Sequence, residues 1–103
     1  MANMNQMMKQ AQQMQAKMTA LQKELDAKEF ESSTGGGMVK VKVNGKQELL
    51  SLEINPECVD PSDVEMLQDL IKGALNQAMK ESSETVSAAM SKITGGLNIP
   101  GMF

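Results

Sequence analysis

An apolar repeat in the first 28 residues restricts this segment to a long helix. Apolar side chains recur there at alternating steps of three and four residues, which is the heptad pattern of helices that pack along a seam. The seam consists of Met4, Met7, Ala11, Met14, Met18, Leu21 and Leu25. Since Ala, Gln, Met, Lys and Leu all favour helices, the sequence predicts a helix over about residues 3–28.

The apolar pattern changes to period two after this helix. Residues 39–43 alternate valine and lysine, which predicts a strand that is buried on one face. Asn44-Gly45 is typical of a two-residue hairpin turn with positive φ at both central positions. Alternating apolar residues follow at Leu50, Leu52 and Ile54. We therefore expect three antiparallel strands over about residues 29–54, with the three glycines at 35–37 as the first connection.

A second long helix is predicted over about residues 60–94. Asp60 as N-cap and Pro61 at the first helical position form its start signal. A wide apolar stripe continues to Ile93, and Ser82-Ser83 is a weak point within it. Glycine stops the helix at residue 95, and residues 95–103 form an apolar tail on a Gly/Pro frame. The fold class is therefore α+β, a single domain over residues 1–103 in the order α-β-β-β-α, with a three-stranded antiparallel sheet.

The predicted helices are too long for one small globule. Their lengths are about 39 and 51 Å, whereas a compact domain of 100 residues has a radius of gyration of about 13 Å. The first helix would extend past the sheet and expose its Met and Leu seam. We expect a second copy of the chain to cover it, so the seven seam residues are the predicted interface of an intertwined homodimer.

Composition excludes most catalytic chemistry. The chain has no His and one Cys, Cys58, so its own residues cannot form a zinc site, a Cys-His pair or a Ser-His-Asp triad. We expect no enzyme activity, no metal or other cofactor, and no small-molecule substrate. No apolar run reaches the roughly 18 residues of a membrane span, and the Gln-rich start lacks a signal peptide's apolar region. The sequence thus predicts a cytoplasmic protein that does not enter the membrane.

Charge is distributed unevenly along the chain. The net charge is −3, yet the first acid is Glu24, and the 23 residues before it hold three lysines. Lys9, Lys17 and Lys23 fall at heptad positions away from the seam, which predicts a basic stripe about 21 Å long on the first helix. Lysines on an ordinary solvated helix face have the same spacing, so the pattern by itself leaves both interpretations open.

Several segments together resemble the bacterial YbaB/EbfC family of small nucleoid-associated proteins. They are MMKQAQQMQAKM at 7–18, MVKVKVNG at 38–45, LEINPE at 52–57, DVEMLQDLIKGALNQA at 63–78 and GGLNIPGMF at 95–103. The resemblance implies an α-β-β-β-α homodimer with protruding helical arms that binds duplex DNA in the nucleoid with little or loose sequence preference. The lysines predicted to contact DNA phosphates are Lys9, Lys17, Lys23, Lys40, Lys42 and Lys46.

Two departures from a typical DNA-binding sequence leave a second function open. The chain has no Arg, the residue that most often reads guanine, so specific base recognition is not expected. A Met-rich helix also suits a protein-interaction adaptor that works beside replication or repair machinery with weak or no DNA binding. Heptad regularity favours a packing role for the methionines, because packing requires that spacing and an adaptable groove does not.

Overall fold

A computed structural model describes residues 3–95 and has the predicted order of elements. Helix α1 spans Met4–Ala27, and helix α2 spans Val64–Gly95. Strands β1 (Glu29–Thr34), β2 (Val39–Asn44) and β3 (Leu49–Ile54) lie between them, and a single 3-10 turn, Pro56–Cys58, precedes α2. The α+β class and the three-stranded antiparallel sheet are thus confirmed. The predicted tail lies outside the described residues from position 96 onward.

The sheet has the order β1-β2-β3 and is antiparallel throughout. Its inner face holds the valines of β2, whose exposed fractions are at most 1%. Small side chains of α2 let the helix approach this face closely. The core cluster consists of Phe30, Val39, Val41, Val43, Cys58, Ala74 and Ala78. The lysines of β2 lie on the opposite face, as the alternation predicts.

Helix α2 runs antiparallel to β1 and continues beyond the sheet. The Thr34 hydroxyl donates to the Leu70 carbonyl at 2.6 Å at one end of the strand. At the other end of the sheet, the Ser82 hydroxyl donates at 2.8 Å to the carbonyl of Asn44, the β2 residue that pairs with Glu29 at the start of β1. The helix is unbroken at Ser82-Ser83 and extends past the sheet by about 20 Å, at 1.5 Å per residue. Helix α2 also contacts α1, and we call α1 together with the part of α2 beyond the sheet the arm.

The molecule is elongated, with principal extents of 75 × 24 × 16 Å and a radius of gyration of 20.1 Å. A compact chain of this length would have a radius of gyration of about 13 Å. The prediction that the helices exceed one small globule is therefore confirmed. Within residues 3–95, neither helix has the combination of length and apolarity that crossing a bilayer requires.

The turn between β2 and β3 differs from the predicted two-residue type. Its loop is Gly45–Gln47, closed by hydrogen bonds from the Asn44 N–H to the Glu48 carbonyl and from the Gln47 N–H to the Asn44 carbonyl. Gln47 has positive φ, whereas Asn44 and Gly45 do not. A three-residue hairpin loop needs a single left-handed residue at its third position, so the predicted type I′ turn is wrong.

Helix α2 begins four residues later than its predicted start. The Asp63 carboxylate accepts the N–H of Met66 at 3.2 Å and so caps the helix. Asp60 instead accepts from both the backbone N–H and the hydroxyl of Ser62, at 2.9 and 2.7 Å. The Asp60 carboxylate, which the sequence predicts as the helix cap, therefore closes a local turn instead. A short polar side chain can accept hydrogen bonds either within such a turn or from the first N–H groups of a helix.

Candidate nucleic-acid interface

Helix α1 presents its three lysines to solvent on a segment without acids. Lys9, Lys17 and Lys23 are all exposed, and they lie before Glu24, the first acid of the chain. The helix spaces Lys9 and Lys23 by about 21 Å along its axis. This geometry preserves the predicted basic stripe, and it can interact with several phosphates of one duplex at once.

The seam of α1 is buried progressively toward the sheet. Leu25 is 5% exposed and belongs to the core of the single chain. Met14, Met18 and Leu21 are half-buried, whereas all residues from 3 to 13, including Ala11, are exposed. Met4 and Met7 are 74% and 65% exposed. The first three turns of α1 therefore project into solvent, with their lysine and their methionines accessible.

The two lysines of β2 have acidic neighbours on the outer face of the sheet. Lys42 Nζ lies 3.4 Å from Glu29 Oε1, and Lys42 is also directly across from Glu31. Lys40 lies directly opposite Glu53 of β3. Acids thus outnumber lysines on this face, so it attracts a phosphate backbone less than α1 does. The sequence could not reveal this, because cross-strand register places residues together that lie far apart along the chain.

Lys46 lies at the base of the arm. It is exposed in the turn between β2 and β3 and follows Gly45, whose backbone lies against Leu25 of α1. Lys23 precedes that contact by two residues in the same helix. The turn therefore brings Lys46 to the end of α1 that carries Lys23. Four of the six predicted lysines thus lie on the arm or at its base, namely Lys9, Lys17, Lys23 and Lys46.

A leucine-rich face of β3 is a surface that the sequence analysis missed. The register sets Leu49 opposite Val43 and Leu52 opposite Val41, and a bulge between Lys42 and Val43 inserts Leu50 between them. Helix α2 lies across β1 and β2, so this part of the inner face is not covered. Leu49, Leu50 and Leu52 are 46%, 47% and 42% exposed. The alternation of β3 marks its buried face, but not how far a helix covers it.

The acids around the start of α2 lie at the other end of the sheet from the arm. Asp60, Asp63, Glu65 and Asp69 are exposed there, near the end of β1. The hydrogen bonds from the Ser62 hydroxyl and N–H hold the pKa of Asp60 below its ordinary value. Among residues 3–95, no group of three or more His, Cys, Asp or Glu side chains is placed to hold a metal ion. Because these four acids lie at the other end of the sheet, they are well separated from the lysines of α1.

Comparison with known protein families gives one match over most of the chain. A family model described as the YbaB/EbfC DNA-binding family matches residues 1–97. This match covers both helices and all three strands of the described fold.

Individual proteins give concordant similarities. A nucleoid-associated protein of Alkaliphilus metalliredigens is 59% identical over 101 residues, which is 98% of this chain and 89% of the relative. One of Clostridium perfringens is 55% identical over 103 residues, covering 100% of this chain and 92% of the relative. The crystal structure of an uncharacterized Helicobacter pylori protein, HP0035, superposes with a TM-score of 0.77 at 26% identity. That superposition covers 91% of this chain and 99% of the other.

Proposed function

Because the chain belongs to the YbaB/EbfC DNA-binding family, we propose that it is a non-enzymatic, nucleoid-associated protein that grips duplex DNA as a homodimer. It binds mainly through backbone phosphates, with little or loose sequence preference, and it acts in the cytoplasm on the nucleoid. The observation that carries this proposal is the exposed lysine stripe of α1, which lies before the first acid of the chain.

The chemistry of the stripe fits phosphates better than base edges. Lysine is a flexible point charge, whereas base reading depends most often on the bidentate guanidinium of arginine, which this chain lacks. Charge neutralisation of phosphates releases counterions and depends little on sequence. Four of the acids that make the net charge −3, those at the start of α2, lie at the other end of the sheet from the arm.

Two apolar surfaces support a homodimer. The seven-residue seam of α1 remains the predicted interface between arms, and Met4, Met7 and Ala11 are its exposed members. The leucine-rich face of β3 adds a second surface near the core. A two-fold dimer would cover both copies of each surface at once. It would also present two lysine stripes to one duplex, which doubles the number of phosphate contacts.

The direct test is a fluorescence-anisotropy titration of a labelled 30-base-pair duplex over a range of salt, repeated with an unrelated duplex. We expect binding that weakens steeply with salt and differs little between the two duplexes. The test variant is Lys9→Glu/Lys17→Glu. Each lost phosphate contact lowers the salt slope by about 0.9, so losing two from both arms lowers it by up to about 3.6.

The matched control is Lys72→Glu/Lys80→Glu, which makes the same change in net charge at two exposed positions of α2. We expect this control to keep most of the affinity and the salt slope of the parent. Equal losses in both variants would show that net charge, and not the α1 stripe, determines binding. Absence of binding by the parent even at low salt would refute the DNA-binding proposal.

The exposed methionines at the free end of α1 favour a second candidate function, that of a protein-interaction adaptor. Met4, Met7 and Met8 are 74%, 65% and 58% exposed, and Met-rich surfaces adapt to different partners. Capture of partners from a nuclease-treated bacterial lysate distinguishes the two functions. Partners that persist after nuclease treatment favour the adaptor, whereas partners that disappear favour association through DNA.

A further inference from the structure

The turn between β2 and β3 contacts both helices of the arm. On one side, Gly45 packs so tightly on α1 that a Cβ there would lie 2.6 Å from the Leu25 carbonyl carbon and closer still to its oxygen. On the other side, the Ser82 hydroxyl of α2 donates to the Asn44 carbonyl at 2.8 Å. The side-chain amide of Gln47 donates to the same hydroxyl at 3.2 Å. We call Gly45, Asn44 and Ser82 the arm junction.

Burial and internal hydrogen bonds make this junction rigid. Ser82 is fully buried, and Asn44 is 8% exposed. The Asn44 carboxamide oxygen accepts the N–H groups of Lys46 and Glu48 at 2.9 and 3.0 Å, and its NH2 donates to the Glu48 carboxylate at 2.7 Å. The turn therefore has little freedom of its own, so it transmits the position of α2 to the base of α1.

The length of α1 amplifies any change at its base. The helix has 24 residues and is about 36 Å long, so a rotation of about 10° at the junction displaces its free end by about 6 Å. Phosphates on one strand of B-DNA are spaced about 3.4 Å apart along the axis. A small change of arm angle would therefore move Lys9 past the phosphate that it contacts.

We propose that Gly45, Asn44 and Ser82 are positioning residues, which set the angle of the arm and thereby the number of phosphates that its lysines contact together. This inference rests on the proposed function and specifies how the fold prepares the DNA-contacting stripe. None of the three residues needs to touch DNA. Gly45 acts through the space it leaves for the Leu25 carbonyl, and Ser82 acts through one hydroxyl that joins α2 to the turn.

The experiment measures the arm angle without DNA. Spin labels at Gln10→Cys on α1 and Ser33→Cys on β1 report one distance by pulsed electron paramagnetic resonance, with Cys58→Ser to remove the native thiol. Gln10 and Ser33 are exposed, so neither label disturbs the core. Dilution with unlabelled protein restricts the signal to distances within one protomer. The background chain is compared with the same chain carrying Ser82→Ala, Gly45→Ala or the control Ser83→Ala.

Ser83 adjoins Ser82 in the helix but is exposed, so its variant controls for the loss of a serine hydroxyl. We expect a narrow distribution in the background chain and in Ser83→Ala, a broader one in Ser82→Ala, and a mean shifted by several Å in Gly45→Ala. With the duplex, Ser82→Ala should lower affinity about tenfold and the salt slope by about 0.9 to 1.8, one or two contacts. Circular dichroism verifies folding, and Ser82→Ala remains decisive if Gly45→Ala does not fold.

Unchanged distance distributions in the junction variants would overturn the proposal. A changed distribution with unchanged affinity and salt slope would overturn its DNA-contacting part. Failure of the parent to bind any duplex would refute the proposed function separately, and the distance measurement would then decide by itself whether the junction positions the arm.

Discussion

The leucine-rich face of β3 gives a quantitative prediction for the proposed homodimer. Leu52 is 42% exposed in the protomer and lies opposite Val41 on the face that α2 covers only in part. Full burial of a leucine side chain contributes roughly 1.5–3 kcal/mol, so covering the exposed part of Leu52 contributes about 1 kcal/mol. A symmetric interface contains the residue twice, which makes the contribution about 2 kcal/mol per dimer.

The perturbation is Leu52→Ala, and the assay is sedimentation equilibrium over a concentration series. A loss of about 2 kcal/mol raises the dimer Kd about 30-fold. The matched control is Glu53→Ala, because Glu53 follows Leu52 in the strand but pairs with Lys40 on the opposite face. Circular dichroism verifies that both variants fold. An unchanged dimer Kd for Leu52→Ala, or an equal change for Glu53→Ala, would refute the reasoning that β3 contributes to the interface.

Three further predictions concern the single chain. Ser62→Ala should raise the Asp60 pKa toward its ordinary value in a carbon-13 NMR titration, because the hydrogen bonds that lower it stabilise the charged form. Since the folded pKa is the lower one, that stabilisation exists above the ordinary pKa and is lost as pH falls through the lowered value. An unchanged pKa would contradict this account. Asp63→Ala should reduce the free energy of unfolding in urea by about 1 kcal/mol, since the N–H of Met66 loses its cap; an unaltered midpoint would contradict the assigned cap. Val41→Ala should reduce that free energy by about 2 kcal/mol, because the side chain is 1% exposed; a loss below about 0.5 kcal/mol would contradict its place in the core.

Local patterns predicted the elements of this fold well. The heptad seam of α1 and the valine–lysine alternation of β2 each repeat over a complete element, and both elements begin and end near the predicted residues. Predictions that depended on one or two residues were less reliable. Asn44-Gly45 indicated a two-residue turn and Asp60 a helix cap, yet the turn is longer and Asp63 is the cap. A single polar or glycine residue satisfies several local geometries of similar energy, whereas a long apolar pattern fits one.

The candidate site depended more strongly on tertiary contacts. The sequence identified the lysine stripe of α1, because heptad positions define the faces of a helix without reference to other elements. It did not indicate that Glu29 and Glu53 lie beside the lysines of β2, since those neighbours come from register between strands. Nor did it reveal that Gly45 is required for close packing on Leu25, because a contact between distant segments leaves no period in the sequence.

The amino-acid sequence predicted the helices, the strands and their order without the structure. It did so because propensity and apolar periodicity act between near neighbours along the chain. Three properties are visible only in the folded chain: how far α2 covers the sheet, which leucines of β3 stay exposed and how the arm meets the turn. These properties follow from the packing of distant segments, where a few ångströms of helix position change which side chains are covered.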